Sequence, residues 1–297
     1  MSSPNITYYD PKSFADAIDW LKSIGIRISS DRLNTTLKLY NNSKKTDLTP
    51  DEVWAISDLD DIIHIYNEFK DQNLPKEIID IIEKIPSGKI FLSEEKIDGS
   101  SDKGRDFCFE LNIISLFSKM GALPKFESNA EFNIELSWLG EHIANIFFEC
   151  KRPKISNSIR RNTIDSMKQI EKRGGIGDVG VSCLSLNRIL WDKMNGKILR
   201  GKVSDIPNHV LKLMSSELSK IRNIHNFNYY AKTILIISEF KCPFIDDDTN
   251  ELLFFRHHDF NLRYYEEHTR PPYSREFMHR AAISLILLNS IQNEYKS

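Results

Sequence analysis

Between residues 131 and 151 the apolar residues switch to a period of two, and this switch limits the fold more than any other stretch. Phe132, Ile134, Leu136 and Trp138 alternate with Glu131, Asn133, Glu135 and Ser137, the pattern of a strand with one buried face. The next run, IANIFFECK over residues 143–151, is bulky and apolar. Only Leu139-Gly140-Glu141-His142 separates the two, so they are expected to pair as an antiparallel hairpin. A helix is predicted before the hairpin, over about 102–120, where Gly121 and Pro124 stop it. Another follows over about 156–173, then a glycine cluster and an apolar strand at 179–186. Helix, hairpin, helix and strand in this order make a compact α/β unit. Further elements are expected as a helix over about 207–222, strands at 232–240 and 252–257, and a terminal helix over about 274–293.

Residues 1–88 read as helices. Asp10-Pro11 opens one that carries Phe14, Ala17, Ile18 and Leu21 at helical spacing, and Gly25 stops it. A second is expected over about 31–40. Thr49-Pro50-Asp51-Glu52 is a capping box, followed by an apolar stripe from Val53 to Phe69. A short helix over 76–85 ends at Pro86-Ser87-Gly88. The division expected is a helical N-terminal unit, 1–88, and an α/β domain, 89–297.

A chain of 297 residues can bury one good-sized core with material left for an appended unit. No apolar run approaches the roughly 18 residues that span a bilayer. The opening MSSPNITYYDPKS lacks a basic start and an apolar segment, and Cys108, Cys150, Cys183 and Cys242 are scattered. Both features point to reduced thiols and a cytoplasmic location. The net charge of -2 hides a polar distribution. From Asp47 to Glu83, 11 acidic residues face only Lys70 and Lys76; from Lys151 to Arg173, eight basic residues face only Asp165 and Glu171. A polyanion would prefer the second region. Solvated helix faces are the plainer account of both.

Chemistry concentrates in Phe147-Phe148-Glu149-Cys150-Lys151-Arg152-Pro153. Strand residues two apart face one side, so Glu149 and Lys151 stand together and Cys150 turns to the core. A surface ion pair would use the same residues. Glu110 lies three residues from Phe107, four from Ile114 and seven from Phe117, on the apolar stripe of its helix. A carboxylate there needs a cation or donor, or must reach back to solvent. Gly175, Gly177 and Gly180 match GxGxxG literally, but they leave a helix and enter a strand, the reverse of a dinucleotide loop. His257-His258-Asp259 has no accompanying ligand set and reads as structural. No GxSxG elbow or Walker loop is present.

The segment ECKRP, residues 149–153, resembles the second half-motif of PD-(D/E)XK (restriction-endonuclease-like) nucleases, and the flanking element order resembles their αβββαβ core. The resemblance covers about residues 100–190. It implies a mixed sheet flanked by helices and a site for Mg²⁺ or Mn²⁺. The implied metal ligands are Glu131, Glu149 and the main-chain carbonyl of Cys150. Ala130-Glu131 stands where the family has Pro-Asp, which is a departure, and Glu127 and Glu135 compete for the role; a solvated strand face also accounts for Glu131. By the same resemblance Lys151 positions the attacking water, and Glu110 helps to hold metal or orient the site. Arg152, Lys154, Arg160 and Arg161 would hold phosphates. Gln169 matches a glutamine that some branches place near the lysine, with Arg173 where they have tyrosine; it reads equally as a helix-surface residue. The implied activity is phosphodiester hydrolysis, in DNA rather than RNA, as the effector of a defence or restriction system. The helical N-terminal unit would then dock a protein partner, and a homo-oligomer is compatible. The alternative is an inactive nuclease-fold protein that binds nucleic acid or a partner protein.

Overall fold

The computed structural model describes residues 5–7, 11–28, 32–42, 48–96, 103–118, 124–126, 132–138, 141–173, 178–226, 230 and 232–262. The helices are α1 (Pro11–Ser23), α2 (Arg32–Asn42), α3 (Pro50–Phe69), α4 (Lys76–Ile82), α5 (Lys103–Ser118), α6 (Ile159–Lys172), α7 (Asn187–Lys193) and α8 (Ile206–Arg222). The strands are β1 (Asn5–Thr7), β2 (Pro124–Phe126), β3 (Phe132–Trp138), β4 (Glu141–Lys151), β5 (Val179–Ser185), β6 (Leu199–Gly201), β7 (Thr233–Asp246) and β8 (Leu252–Leu262). Among the described residues no helix is long and apolar enough to cross a membrane.

One mixed sheet runs in the order β1-β8-β7-β5-β4-β3-β2, with β6 pairing with β7. The hairpin forms as its alternation requires: β3 and β4 are antiparallel, with Asn133 opposite Phe147. β4, β5 and β7 are parallel neighbours, and all seven residues of β5 are buried, which is why it reads as a continuous apolar run. Period two divides its side chains between two cores. Val179, Val181 and Cys183 join a cluster that includes residues of α1 to α5. Leu184, with Ile236 and Phe240 of β7, joins a second cluster built on α7 and α8. Helices therefore cover both faces. The first cluster runs from Phe14 to Phe254, so buried contacts cross the boundary at residue 88.

Local signals account for most element ends. Thr49 and Glu52 close the capping box that starts α3, and Gly25, at φ +90°, takes the left-handed turn that ends α1. At Gly180 a β carbon would stand 2.3 Å from Ile170 Cγ2, so only glycine lets α6 lie this close to β5. The structure departs from the expected elements where the signal was short. β1, β2 and β6 have three residues each and α7 has seven, too few to display a period. β7 continues through Pro243 to Asp246. Its pairing with β5 ends at Glu239 and that with β6 begins at Phe244, so the proline falls where the strand has a ladder on one side only. The helix expected over 274–293, and Ala130, Glu131 and Glu127, lie outside the described residues.

The acidic stretch of α3 corrects the expectation of a solvated face. Asp58, Asp60 and Asp61 are buried. Asp58 accepts from Arg32 and, at 2.8 Å, from Arg105. Asp61 accepts from Lys241 at 2.6 Å, and Arg256 reaches both Asp60 and Asp61 at 2.5 Å. Arg256 also pairs with Glu239 at 3.3 Å. These acids are spent inside the molecule, because a buried charge without a partner would cost several kcal/mol.

Burial works against these carboxylates, but the surrounding cations outweigh it: Arg105 and Arg32 hold Asp58, and Arg256 holds Asp60, well below the usual range. Likewise, despite burial, Arg256 and His258 bring Glu239 down to about 2. Depressed carboxyl pKa values stabilise the fold above the unfolded value, and that contribution is lost as pH falls from about 5 towards 2. Urea midpoints measured at pH 7, 4 and 2.5 should fall in that order. Asp60→Asn, which leaves Arg256 with Asp61 and Glu239 alone, should cost about 1–3 kcal/mol at pH 7; unchanged stability would show that the pair is not structural.

Candidate functional site

The site forms where β4 ends. Phe148 stacks on Phe132 and meets Phe117 of α5, with both centroid separations at 4.6 Å, which fixes one side of the strand. The period of two turns Glu149 and Lys151 the other way. Glu149 is only 1% exposed, and its Oε1 accepts from Lys151 Nζ. Its Oε2 accepts from Arg173 Nη1 at 3.2 Å, so the arginine four residues after Gln169 closes on the carboxylate. Burial pushes the Glu149 carboxyl up, against the pull of Lys151. The expected pairing of the two side chains is present.

A cleft of about 540 Å³ opens beside them. Asp106, Phe109 and Glu110 of α5 form one wall, Cys150 and Lys151 the floor, and Ser158, Arg161 and Asn162 the far side. Cys150 packs against the core, as expected, and also reaches this floor. Burial first, then the hydrogen bond with Cys183 on the adjacent strand, pushes its thiol well up.

Glu110 is the uncompensated group. Its Oε2 is buried without a hydrogen-bond partner among the described residues. Burial raises its carboxyl to about 8, with Asp106 and then Glu149 adding to the shift. Carboxylates that repel one another beside a cleft suit a hard divalent cation, whose charge would relieve them. Glu110, Glu149 and the carbonyl of Cys150 thus fit the donor chemistry of Mg²⁺ or Mn²⁺. Among the described residues no three His, Cys, Asp or Glu side chains meet as a ready cage, and Glu131 lies outside those residues.

The cations divide into two groups. Arg152 and Lys154 line the cleft, but their head groups are occupied. Arg152 donates to Asp106 at 2.7 Å and to Glu95 at 3.2 Å, and Lys154 donates to Glu95 at 3.0 Å. Glu95, 5% exposed, also accepts from Arg105 at 2.8 Å; despite burial, Arg152, Arg105 and Lys154 bring its carboxyl down to about 2. Phosphate holding by Arg152 and Lys154 would therefore compete with an internal carboxylate. Arg160 and Arg161 sit on the exposed side of α6. Gln169 is half-buried, and its Oε1 has no partner among the described residues. His258 pairs with Glu239 and Asp259 with Arg222, so that triplet is structural.

Sequence reasoning missed Glu95 and Arg105. Glu94-Glu95-Lys96 looks like a solvated charge run, and the cations on Glu95 come from positions 10, 57 and 59 residues away. Comparison with protein-family models, with curated proteins and with solved structures finds no match.

With its carboxyl raised from 4.5 to about 8, Glu110 holds a proton in the fold that the unfolded chain has lost, so stability falls as pH rises through that window. Glu110→Gln, neutral at every pH, should match wild type near pH 5 in metal-free buffer. At pH 8.5 it should be more stable by about 1–3 kcal/mol. Parallel stability profiles for the two proteins would mean that the carboxyl is not held unpaired.

Proposed function

We propose that this chain is a metal-dependent phosphodiesterase of the PD-(D/E)XK type that hydrolyses DNA. The observation that carries the proposal is the pairing of Glu149 and Lys151 at the end of a buried strand, beside an open cleft and the Glu110 carboxyl, whose Oε2 has no hydrogen-bond partner among the described residues. The order α5-β2-β3-β4-α6-β5 supports a restriction-endonuclease-like core, since it is the αβββαβ order of that family.

Glu149, Glu110 and the Cys150 carbonyl would hold Mg²⁺ or Mn²⁺, with Glu131 as the further ligand that the resemblance implies. When bound, such a cation supplies Lewis acidity and neutralises charge at the phosphate. Lys151 stands at the floor of the cleft, where its ammonium can orient a water and offset the negative charge that develops at phosphorus. Glu149 keeps that ammonium in place, and Arg173 keeps Glu149 in place. Hydrolysis adds water across one P–O bond and leaves a phosphate monoester and a hydroxyl.

One observation favours a second reading, a nucleic-acid-binding protein without cleavage: both oxygens of Glu149 are already engaged, by Lys151 and Arg173. Cleavage of plasmid and linear DNA with Mg²⁺ or Mn²⁺ separates the two. Lys151→Ala and Glu149→Ala should each lower the rate by about 10²-fold or more. Unchanged cleavage in both variants would remove the nuclease assignment. DNA binding without calorimetric Mn²⁺ binding would favour the second reading.

A further inference from the structure

Away from the acids Asp106 and Glu110, the cleft offers a free cation, side-chain amides and an apolar surface, and together these match the parts of a nucleotide. Arg161 is exposed and, among the described residues, has no protein partner, unlike Lys151, Arg152 and Lys154, which each hold a carboxylate. It is the cation left for a phosphate. Among the described residues, Asn157 is exposed with its amide unengaged, and Asn162 uses only its Nδ2, on Ser158 O at 2.9 Å. These amides can donate to or accept from the edge of a base. Phe109 borders the cleft but is almost wholly buried, whereas Ile155, 36% exposed, is one of only two exposed large apolar side chains among the described residues. A flat ring laid on Ile155 would cover that apolar surface. The volume, about 540 Å³, is in the range that encloses a small organic ligand.

We infer that the cleft takes one unstacked nucleotide of a single-stranded DNA segment, with its phosphate on Arg161, its base edge on Asn157 and Asn162, and its ring against Ile155. A continuous duplex presents phosphates outward and keeps its bases stacked and paired, so it would satisfy Arg161 and leave the amides and the apolar surface without partners. An unpaired strand satisfies all three. The inference rests on the proposed function only in taking DNA as the occupant of the cleft.

Fluorescence anisotropy of the full chain in EDTA tests it, with a short single-stranded oligodeoxynucleotide and the same sequence as a duplex. The single strand should bind about tenfold more tightly or better. Arg161→Ala should weaken single-strand binding about tenfold and lower its salt slope by about 0.7, the loss of one phosphate contact. Asn157→Ala should weaken it several-fold with no change of slope, because a base contact releases no counterion. Both side chains are exposed, so neither change threatens the fold. Equal or tighter duplex binding, or wild-type affinity in both variants, overturns the inference. A protein that shows these slopes but never cleaves with Mg²⁺ or Mn²⁺ refutes the nuclease reading and supports this one. Cleavage without single-strand preference does the reverse.

Discussion

Arg105 grips two carboxylates from different parts of the chain, Asp58 of α3 and Glu95 ahead of α5, and the seating of the helices on the sheet depends on that bridge. An arginine buried in this way is tolerable only when its donors are used. Asp58 passes the connection on to Arg32, whose guanidinium also donates to Ile85 O at 2.7 Å. Glu95 passes it on to Arg152 and Lys154 at the cleft. The helical layer and the floor of the cleft are thus joined by hydrogen-bonded charge rather than by apolar contact alone.

The same bridge explains why a count of basic residues overstates the charge a ligand meets. The stretch from Lys151 to Arg173 carries eight cations. Glu149 takes up Lys151 and Arg173, while Glu95 and Asp106 take up Arg152 and Lys154. What faces outward is a narrower set on α6, centred on Arg161. Selectivity in such a cleft comes from which cations remain uncommitted, a property of tertiary pairing that composition does not contain.

The hairpin and the pairing of Glu149 with Lys151 were legible because alternation is a local rule: once β4 is a strand, its side chains two apart must share a face. The capping box at Thr49 and the stop at Gly25 were legible for the same reason, each being decided within one turn. The ion pairs of α3 were not. Asp60 meets Arg256 across 196 positions, and nothing in the acidic run marks which of its carboxylates will be buried. Glu110 was placed on an apolar stripe by spacing, but its lack of a hydrogen-bond partner depends on what β4 and the cleft bring against it. The three-residue strands and α7 form because the neighbouring ladders and cores make room for them, not because their own residues demand it.

The pairing of β1 with β8 has a consequence for how the molecule is made. Asn5–Thr7 finds its ladder partners at Phe254–Arg256, and Asp60 and Asp61 find their guanidinium on that same late strand. A ribosome delivers α3 long before β8, so these two aspartates must stay hydrated while most of the chain emerges. Final closure of the helical layer therefore waits on the last described strand, and the ion pairs of Asp60 and Asp61 are complete only once Arg256 has cleared the exit tunnel.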